Sequence, residues 1–360
     1  MEASEYADLQ AMARRFVEER LIPHEREVES GLEESVWRDL IAESATLGLT
    51  GLRFPAEYGG GGAGLMATAV VMREFGRTSH SFITRLLLSV DTSLMFGTEE
   101  QKERWLRPAL AGELTTAFAL TETESGSDAA TLKTMGVRSD GGWVLSGRKV
   151  FTTLARVSDL LVVVARTGEG EDHRSLSVFA VPTDSDGVTL GAENDKVGYR
   201  GVPQSDVFLD ECFVPDDSLI GDEGQGWDIV TAWTDSERLM QAAWCLGSAE
   251  RALELAVGYA KERKTFGAPL ATRQAIQWMI ADSGAQLTAI RALVSDVARR
   301  ADRGLDIRTE AASAKLIAAE VSGQVIDRCL QIHGGSGYMR DLPFDMLWRD
   351  VRLARIGGGT

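Results

Sequence analysis

One stretch in the second half of the chain constrains the fold more than any other. It runs from Thr234 to Gly267, and its apolar or small residues recur at intervals of three and four. That spacing describes one face of an α-helix. Gly247 and Gly258 weaken the pattern only mildly, and Gly267 followed by Pro269 ends it. The residues that form this face are Leu239, Ala242, Ala243, Leu246, Ala249, Leu253, Ala256 and Ala260.

Glu237 lies near the start of this predicted helix. Spacing by three and four places it on a face with Met240, Gln241 and Trp244. Apolar neighbours of this kind could desolvate the carboxylate, which would raise its pKa and make it a better base. Most glutamates on helices are solvated, however, and an acidic residue near a helix N-terminus is favoured by the helix dipole. Spacing alone leaves both interpretations open.

Three regions follow one another along the chain. Residues 1 to about 112 carry helical periodicity, with helices expected over 3–19, 33–47, 65–75, 81–96 and 99–111. The glycine-rich run from Tyr58 to Gly64 lacks the Lys-Ser/Thr of a phosphate-binding loop, so a flexible turn is expected there. From Thr115, short alternating or apolar runs separated by turn residues predict strands. From Trp227, helical patterns return over 227–267, 273–304, 307–332 and 343–355.

These patterns predict an α+β multidomain chain. An N-terminal helical domain is expected over residues 1–114, and a small β-barrel or β-sandwich domain over residues 115–220. The four helices of residues 221–360 predict an antiparallel four-helix bundle.

Composition excludes several classes of function. The formal charge of -16 over 360 residues argues against nucleic acid as a partner, since phosphate binding needs basic surface. No apolar run reaches the length of a membrane span, and the polar N-terminus is no secretory signal, so a cytoplasmic protein is expected. Three distant cysteines are expected to be reduced, half-buried thiols. The four histidines form no metal-binding motif, so no metal site is expected.

Five separate stretches, in order, resemble the acyl-CoA dehydrogenase family. ALTETESGSD (Ala119 to Asp128) is similar to the family signature TEPGAGSD, and GRKVFTT (Gly147 to Thr153) to its K-x-W-I-T/S strand. ERKTFGAPLATRQAIQ (Glu262 to Gln277) resembles the segment after its long helix. QIHGGSGYMRDLP (Gln331 to Pro343) resembles its QxxGGxGY loop, and WRDVRLARIGGGT (Trp348 to Thr360) its RDxxxxxIYEGT ending. The resemblance covers nearly the whole chain and implies an enzyme of fatty acid metabolism with the three-domain fold described above.

The resemblance also implies a bound FAD and carries its contacts over position by position. Those to the flavin fall on Phe118, Leu120, Thr121, Gly126, Ser127, Phe151, Thr152, Thr153 and Thr360. Arg263, Phe266 and Gln274 match positions that reach the FAD of a neighbouring subunit, and Gln331, Gly334 and Gly335 match backbone near the FAD diphosphate. Ser127, Asp235 and Arg238 match positions that line the substrate.

The sequence departs from the common family pattern at the catalytic base. Many members remove the substrate α-proton with the Glu of YEGT, but here the triplet before Thr360 reads Gly357-Gly358-Gly359. A branch that includes the isovaleryl-CoA and long-chain enzymes places its Glu on the long helix, within D/P-x-E-R-L. Asp235 to Leu239 fits that motif, so Glu237 is expected to be the base, while the Gly358 N–H is expected to bind the thioester oxygen.

The resemblance therefore implies α,β-dehydrogenation of an acyl-CoA to the trans-2-enoyl-CoA. An electron-transfer flavoprotein is the expected acceptor, and a homo-oligomer, a dimer or tetramer, the expected assembly. Three alternatives remain open at this stage: an acyl group carried on a carrier protein, oxygen as acceptor, and a non-catalytic FAD-binding subunit of a hetero-oligomeric dehydrogenase.

Overall fold

The computed structural model describes residues 2–170 and 172–360. Helices fill the N-terminal and C-terminal parts of the chain, and strands fill the middle. The helices are α1 (Ala3–Phe16), α2 (Glu34–Thr46), α3 (Gly64–Phe75), α4 (His80–Leu86), α5 (Glu99–Gln101), α6 (Arg107–Leu110), α7 (Gly226–Glu262), α8 (Gln274–Asp302), α9 (Arg308–His333) and α10 (Phe344–Leu353). None of the helices in these ranges is both long and apolar enough to cross a membrane.

The strands form one mixed sheet of eight strands and a separate two-stranded hairpin. The sheet order is β6-β7-β3-β2-β4-β5-β8, and β1 pairs in parallel with β4. Its two longest strands, β3 and β7, are neighbours in this order and run antiparallel. The strands are β1 (Thr116–Ala119), β2 (Met135–Ser139), β3 (Gly142–Thr153), β4 (Leu160–Arg166), β5 (Leu176–Pro182), β6 (Val188–Leu190), β7 (Gln204–Pro215), β8 (Leu219–Ile220), β9 (Lys264–Thr265) and β10 (Ala268–Pro269).

Helix α7 is the central element of the fold. The predicted apolar face is buried, but so are Trp244, Cys245 and Ser248 on other sides of the helix. The prediction of a single apolar face was therefore too narrow, because α7 packs against α3 as well as against the bundle helices. A Cβ at Gly247 would lie 1.8 Å from the Arg73 carbonyl oxygen, so this glycine permits the close approach of α3.

Two local predictions were wrong, those for residues 81–96 and for the cysteines. The helix expected over 81–96 ends at Leu86 and resumes as a 3-10 turn at Thr92, because Thr116 of β1 bonds the intervening backbone at Ser89 and Asp91. The glycine-rich run connects helices, as predicted, and backbone bonds join its residues 61, 62 and 63 to residues 51, 54 and 52. The cysteines are fully buried rather than half-buried, because each faces a hydrophobic core.

Candidate active site

Glu237 is the twelfth residue of α7, which begins at Gly226, and it is buried, with 8% of its surface exposed. Burial raises the pKa of its carboxyl above the ordinary value, and the neighbouring Arg53 guanidinium partly offsets that rise. The two Nη atoms of Arg53 lie 3.3 and 3.4 Å from the Glu237 Oε1 atom, and its Nη1 donates to the Ser236 Oγ at 2.7 Å. The site therefore contains a desolvated carboxylate that, among residues 2–170 and 172–360, contacts one cationic side chain, that of Arg53.

Sequence reasoning missed Arg53, which precedes Glu237 by 184 residues. It belongs to the turn that pairs with the glycine-rich run, so it reaches α7 only through the tertiary fold. A cavity of about 570 Å³ lies beside it, and Thr92, Met95 and Ser236 also line this space. The Thr92 hydroxyl is buried there without a hydrogen-bond partner in the described residues. No local pattern in the sequence signals these contributions.

The chain end folds back over α7 at Arg238 and Gln241. Arg238 donates its Nε–H to the Gly358 carbonyl at 2.9 Å, and Lys315 donates to the Gly359 carbonyl. Gly358 has a φ of +67°, and a Cβ there would lie 2.9 Å from the Gln241 Nε2 atom. The Gly358 N–H donates to no acceptor in residues 2–170 and 172–360. The end loop thus presents a backbone donor without a protein partner.

Asp235 lies on α7 one turn before Arg238. Its carboxylate is 3.7 Å from Arg238 and 3.7 Å from Arg308. Burial raises the pKa of Asp235, and the two arginines oppose that rise. Asp235 and Arg238 therefore form a charged group beside the end loop rather than an isolated helix-end pair.

Strand β3 carries the predicted flavin-contacting residues Phe151 and Thr152 where its pairing with β7 is irregular. The β3–β7 register shifts between Lys149 and Thr152, and Phe151 within the shift has a φ of +58°. A positive φ is unusual for an aromatic residue, and such strain is concentrated at functional sites. The Phe151 ring is 62% exposed, whereas the Thr152 hydroxyl is buried with no partner among the described residues.

The first signature loop lies against the same strand. Lys149 of β3, itself fully buried, donates to the Leu120 carbonyl at 3.0 Å and to the Glu122 carboxylate at 2.8 Å. At the other end of the loop, the Ser127 Oγ lies 3.3 Å from the Thr360 Oγ1. The structure therefore brings together the first signature, β3 and the chain end, as an FAD site would require.

Two further features surround this group. Phe118 stacks on Trp233 of α7 with ring centroids 4.4 Å apart, an aromatic contact that the sequence did not indicate. Thr121 lies beside β3, where its carbonyl accepts from the Val150 N–H, and a Cβ added at Gly126 would meet open space. The unpartnered Thr152 hydroxyl, the exposed Phe151 ring and the open space at Gly126 fit a planar, polar-edged cofactor. The residues present are therefore compatible with a flavin.

The remaining predicted cofactor residues lie at the far end of the bundle. Tyr259 stacks on His333 at 4.4 Å, which joins the end of α7 to the end of α9. Phe266 is 99% exposed. In the described parts of the chain, no hydrogen bond, ion pair or ring contact joins this second group to the first. The second group comprises Arg263, Phe266, Gln274, Gln331, Gly334 and Gly335.

Family models match the chain in three consecutive segments. They are the acyl-CoA dehydrogenase N-terminal domain over residues 3–113, the middle domain over 117–212 and the C-terminal domain over 224–360. The chain therefore belongs to the acyl-CoA dehydrogenase family. This membership confirms the family and fold class predicted from the sequence, makes the chain an oxidoreductase and implies a flavin cofactor.

Individual relatives agree with this assignment. A 3-(aryl)acrylate reductase of Clostridium sporogenes is 37% identical over 98% of this chain and 94% of that protein. The caffeyl-CoA reductase-Etf complex subunit CarC of Acetobacterium woodii is 35% identical over 98% of this chain and 94% of that protein. The structure of butyryl-CoA dehydrogenase from Megasphaera elsdenii superposes with a TM-score of 0.92 at 31% identity, covering 100% of this chain and 96% of that one.

Proposed function

We propose that this chain catalyses the FAD-dependent α,β-dehydrogenation of an acyl-CoA thioester to the trans-2-enoyl-CoA, with Glu237 removing the α-proton. The observation that carries the proposal is the buried Glu237 carboxylate, whose pKa is raised by desolvation. A general base works best when its pKa approaches the operating pH, and burial moves a glutamate in that direction. The end signature supplies no competing carboxylate, because residues 357 to 359 are all glycine.

The end loop supports the second part of the proposal. Removal of an α-proton places negative charge on the thioester oxygen, and a fixed N–H donor stabilises that charge. The Gly358 N–H is unpartnered in the described residues, while Arg238 and Lys315 hold the carbonyls of residues 358 and 359. We assign the Gly358 N–H to the thioester oxygen, and Asp235, Arg238 and Ser127 to the substrate side of the loop.

The FAD contacts are proposed for two surfaces of the chain. Phe118, Leu120, Thr121, Gly126, Ser127, Phe151, Thr152, Thr153 and Thr360 would hold the flavin. The exposed Phe266, with Arg263 and Gln274, would reach the FAD of a neighbouring copy, and Gln331, Gly334 and Gly335 would approach a diphosphate. Arginine suits phosphate, and glycine allows close backbone approach. Bound FAD would supply the acceptor for the β-hydride.

The relatives support two further aspects of the proposal. One is named as a subunit of an Etf complex, which supports an electron-transfer flavoprotein as the redox partner. Two carry reductase names, and the same base would return the proton if the reaction ran towards the saturated thioester. A homo-oligomer is proposed because Phe266 is almost fully exposed on the single chain.

Anaerobic titration of the purified holoenzyme with short, branched and long acyl-CoAs tests the function. Bleaching of the flavin absorbance by one class would support both dehydrogenation and that substrate class. A yellow protein bleached only by an acyl-carrier thioester would favour the carrier-bound alternative. Activity that appears only with a copurifying sister chain would favour the non-catalytic subunit. A protein that cannot be loaded with FAD would refute the proposal.

A further inference from the structure

Two charged side chains from distant parts of the chain meet at the proposed base. Arg53 comes from the turn before the glycine-rich run, and Glu237 comes from α7. The Arg53 side chain is 8% exposed and the Glu237 side chain is 10% exposed. Buried charges are costly unless they compensate one another, so this pair needs an explanation beyond packing.

The contacts of Arg53 differ in length and in kind. Its Nη1 is anchored on the Ser236 Oγ at 2.7 Å, whereas both Nη atoms lie 3.3 to 3.4 Å from the Glu237 Oε1. Charge-assisted hydrogen bonds of this type are usually about 2.7–2.9 Å long. The Glu237 Oε2 accepts no hydrogen bond from the described residues. Arg53 therefore balances the charge of the base while leaving one of its oxygens free to take a proton.

Asp91 is a further buried carboxylate near this pair. It accepts the Ser93 N–H at 2.7 Å, and no hydrogen bond or ion pair joins it to Arg53 or Glu237 in residues 2–170 and 172–360. Burial raises the pKa of Asp91 to about 6, with repulsion from Glu237 adding to the rise and Arg53 opposing it. Asp91 is therefore not in contact with the base.

The other charged groups near the base are directed elsewhere. Asp235 and Arg238, on the same helix, face the end loop. Asp302, on the far side of the cavity, accepts the N–H groups of Leu65 and Met66. Tyr199 is buried, and its pKa is raised well above the ordinary value, so it is neutral. Among the described residues, Arg53 is therefore the charged side chain in contact with the base.

We propose that Arg53 is a positioning residue that keeps the base Glu237 ionised and oriented. The proposal rests on the proposed function, in which Glu237 is the base. Arg53 compensates the buried charge at one carboxylate oxygen and leaves the other oxygen available for the proton. It does not need to touch the substrate for this role.

The test measures the pH dependence of flavin reduction by acyl-CoA in the holoenzyme, using R53M and R53K. An opposite charge in contact shifts a pKa by about 1–3 units, so the acidic limb of the R53M pH–rate profile should move up by at least about one pH unit. The acidic limb of R53K should move less, because the charge remains. Difference infrared titration of the carboxyl band that E237Q lacks gives the same shifts without turnover.

R85M is the matched control. Arg85 is a comparably buried arginine, 9% exposed, that pairs with Glu34 and lies over the Trp37 ring rather than against Glu237. Its loss should leave the limb unmoved. Flavin content and the unfolding midpoint of each variant confirm that it is folded.

An acidic limb that moves up in R53M, less in R53K and not in R85M would support the proposal. An unmoved limb in folded R53M, an equal fall in rate at every pH, or the same shift in R53M and R85M would overturn it. Failure of the proposed function is a separate result: E237Q would then reduce its flavin as fast as the wild-type enzyme.

Discussion

The buried pair of Glu122 and Lys149 allows a sharp prediction about the stability of the flavin-side loop. Glu122 accepts from the Lys149 Nζ at 2.8 Å, from the Lys133 N–H at 2.6 Å, and from the N–H and hydroxyl of Thr134 at 2.9 and 2.6 Å. Lys149 is fully buried. These contacts hold the pKa of Glu122 below its ordinary value despite burial, so the carboxylate is charged at neutral pH.

The perturbation is E122Q, which removes the charge and one acceptor oxygen but keeps the shape. The Lys149 ammonium then remains buried without a counter-charge, and only neutral acceptors such as the Leu120 carbonyl are left to it. Breaking one side of a buried ion pair typically costs about 3–5 kcal/mol, which is the expected loss in unfolding free energy. E122Q/K149M should recover part of this loss, because no uncompensated charge then remains.

The assay is urea unfolding followed by tryptophan and flavin fluorescence. E124Q is the matched control, because Glu124 lies two residues away and pairs with Lys133 where both side chains are 73% exposed. Exposed ion pairs contribute little, so E124Q should unfold at the wild-type urea concentration. Equal midpoints for E122Q and E124Q would refute the reasoning.

Two further predictions concern stability. Burial raises the pKa of Asp350 to about 6, against 3.8 unperturbed, so its contribution is full below about pH 4 and is lost as the pH rises through 6; D350N should therefore flatten the dependence of melting temperature on pH in that window, and an unchanged slope would contradict the assignment. In G247A, the added Cβ would lie 1.8 Å from the Arg73 carbonyl oxygen, and overpacking of this kind costs about 1–3 kcal/mol. In the control G258A, nothing lies within 4 Å of the added Cβ, so its unfolding midpoint should not fall below that of the wild type. Equal unfolding midpoints for the two variants would contradict the prediction, because α3 would then move away from the added methyl group without cost.

Much of the architecture follows from local patterns in the sequence. The spacing of apolar residues from Leu239 to Ala260 predicts α7, and alternating runs separated by turn residues predict the strands of the sheet. These signals are reliable because each depends on a repeat set by helix or strand geometry. The helix expected over 81–96 was wrong because Thr116, distant in sequence, bonds the backbone at Asp91.

The site was less accessible to sequence reasoning. The glycines at the chain end indicate that no base lies there, and the motif around Glu237 indicates that the base lies on α7. The assignment of Glu237 as the base remains a prediction. Arg53 carries no motif, and its contact with Glu237 joins two positions that are 184 residues apart. Trp233 likewise lies on the predicted helix, but nothing in its spacing indicates the stack on Phe118.

The most direct test of the central claim is the rate of flavin reduction in E237Q after anaerobic mixing with the best acyl-CoA. E250Q is the control, because Glu250 is a buried glutamate of the same helix that pairs with Arg73 and Arg291, away from Glu237. A general base contributes about 10²–10⁴-fold, so E237Q should bind the thioester yet reduce its flavin at least about a hundredfold more slowly. E250Q should react at close to the wild-type rate. Reduction of E237Q within a few fold of wild type would contradict the assignment of Glu237 as the base.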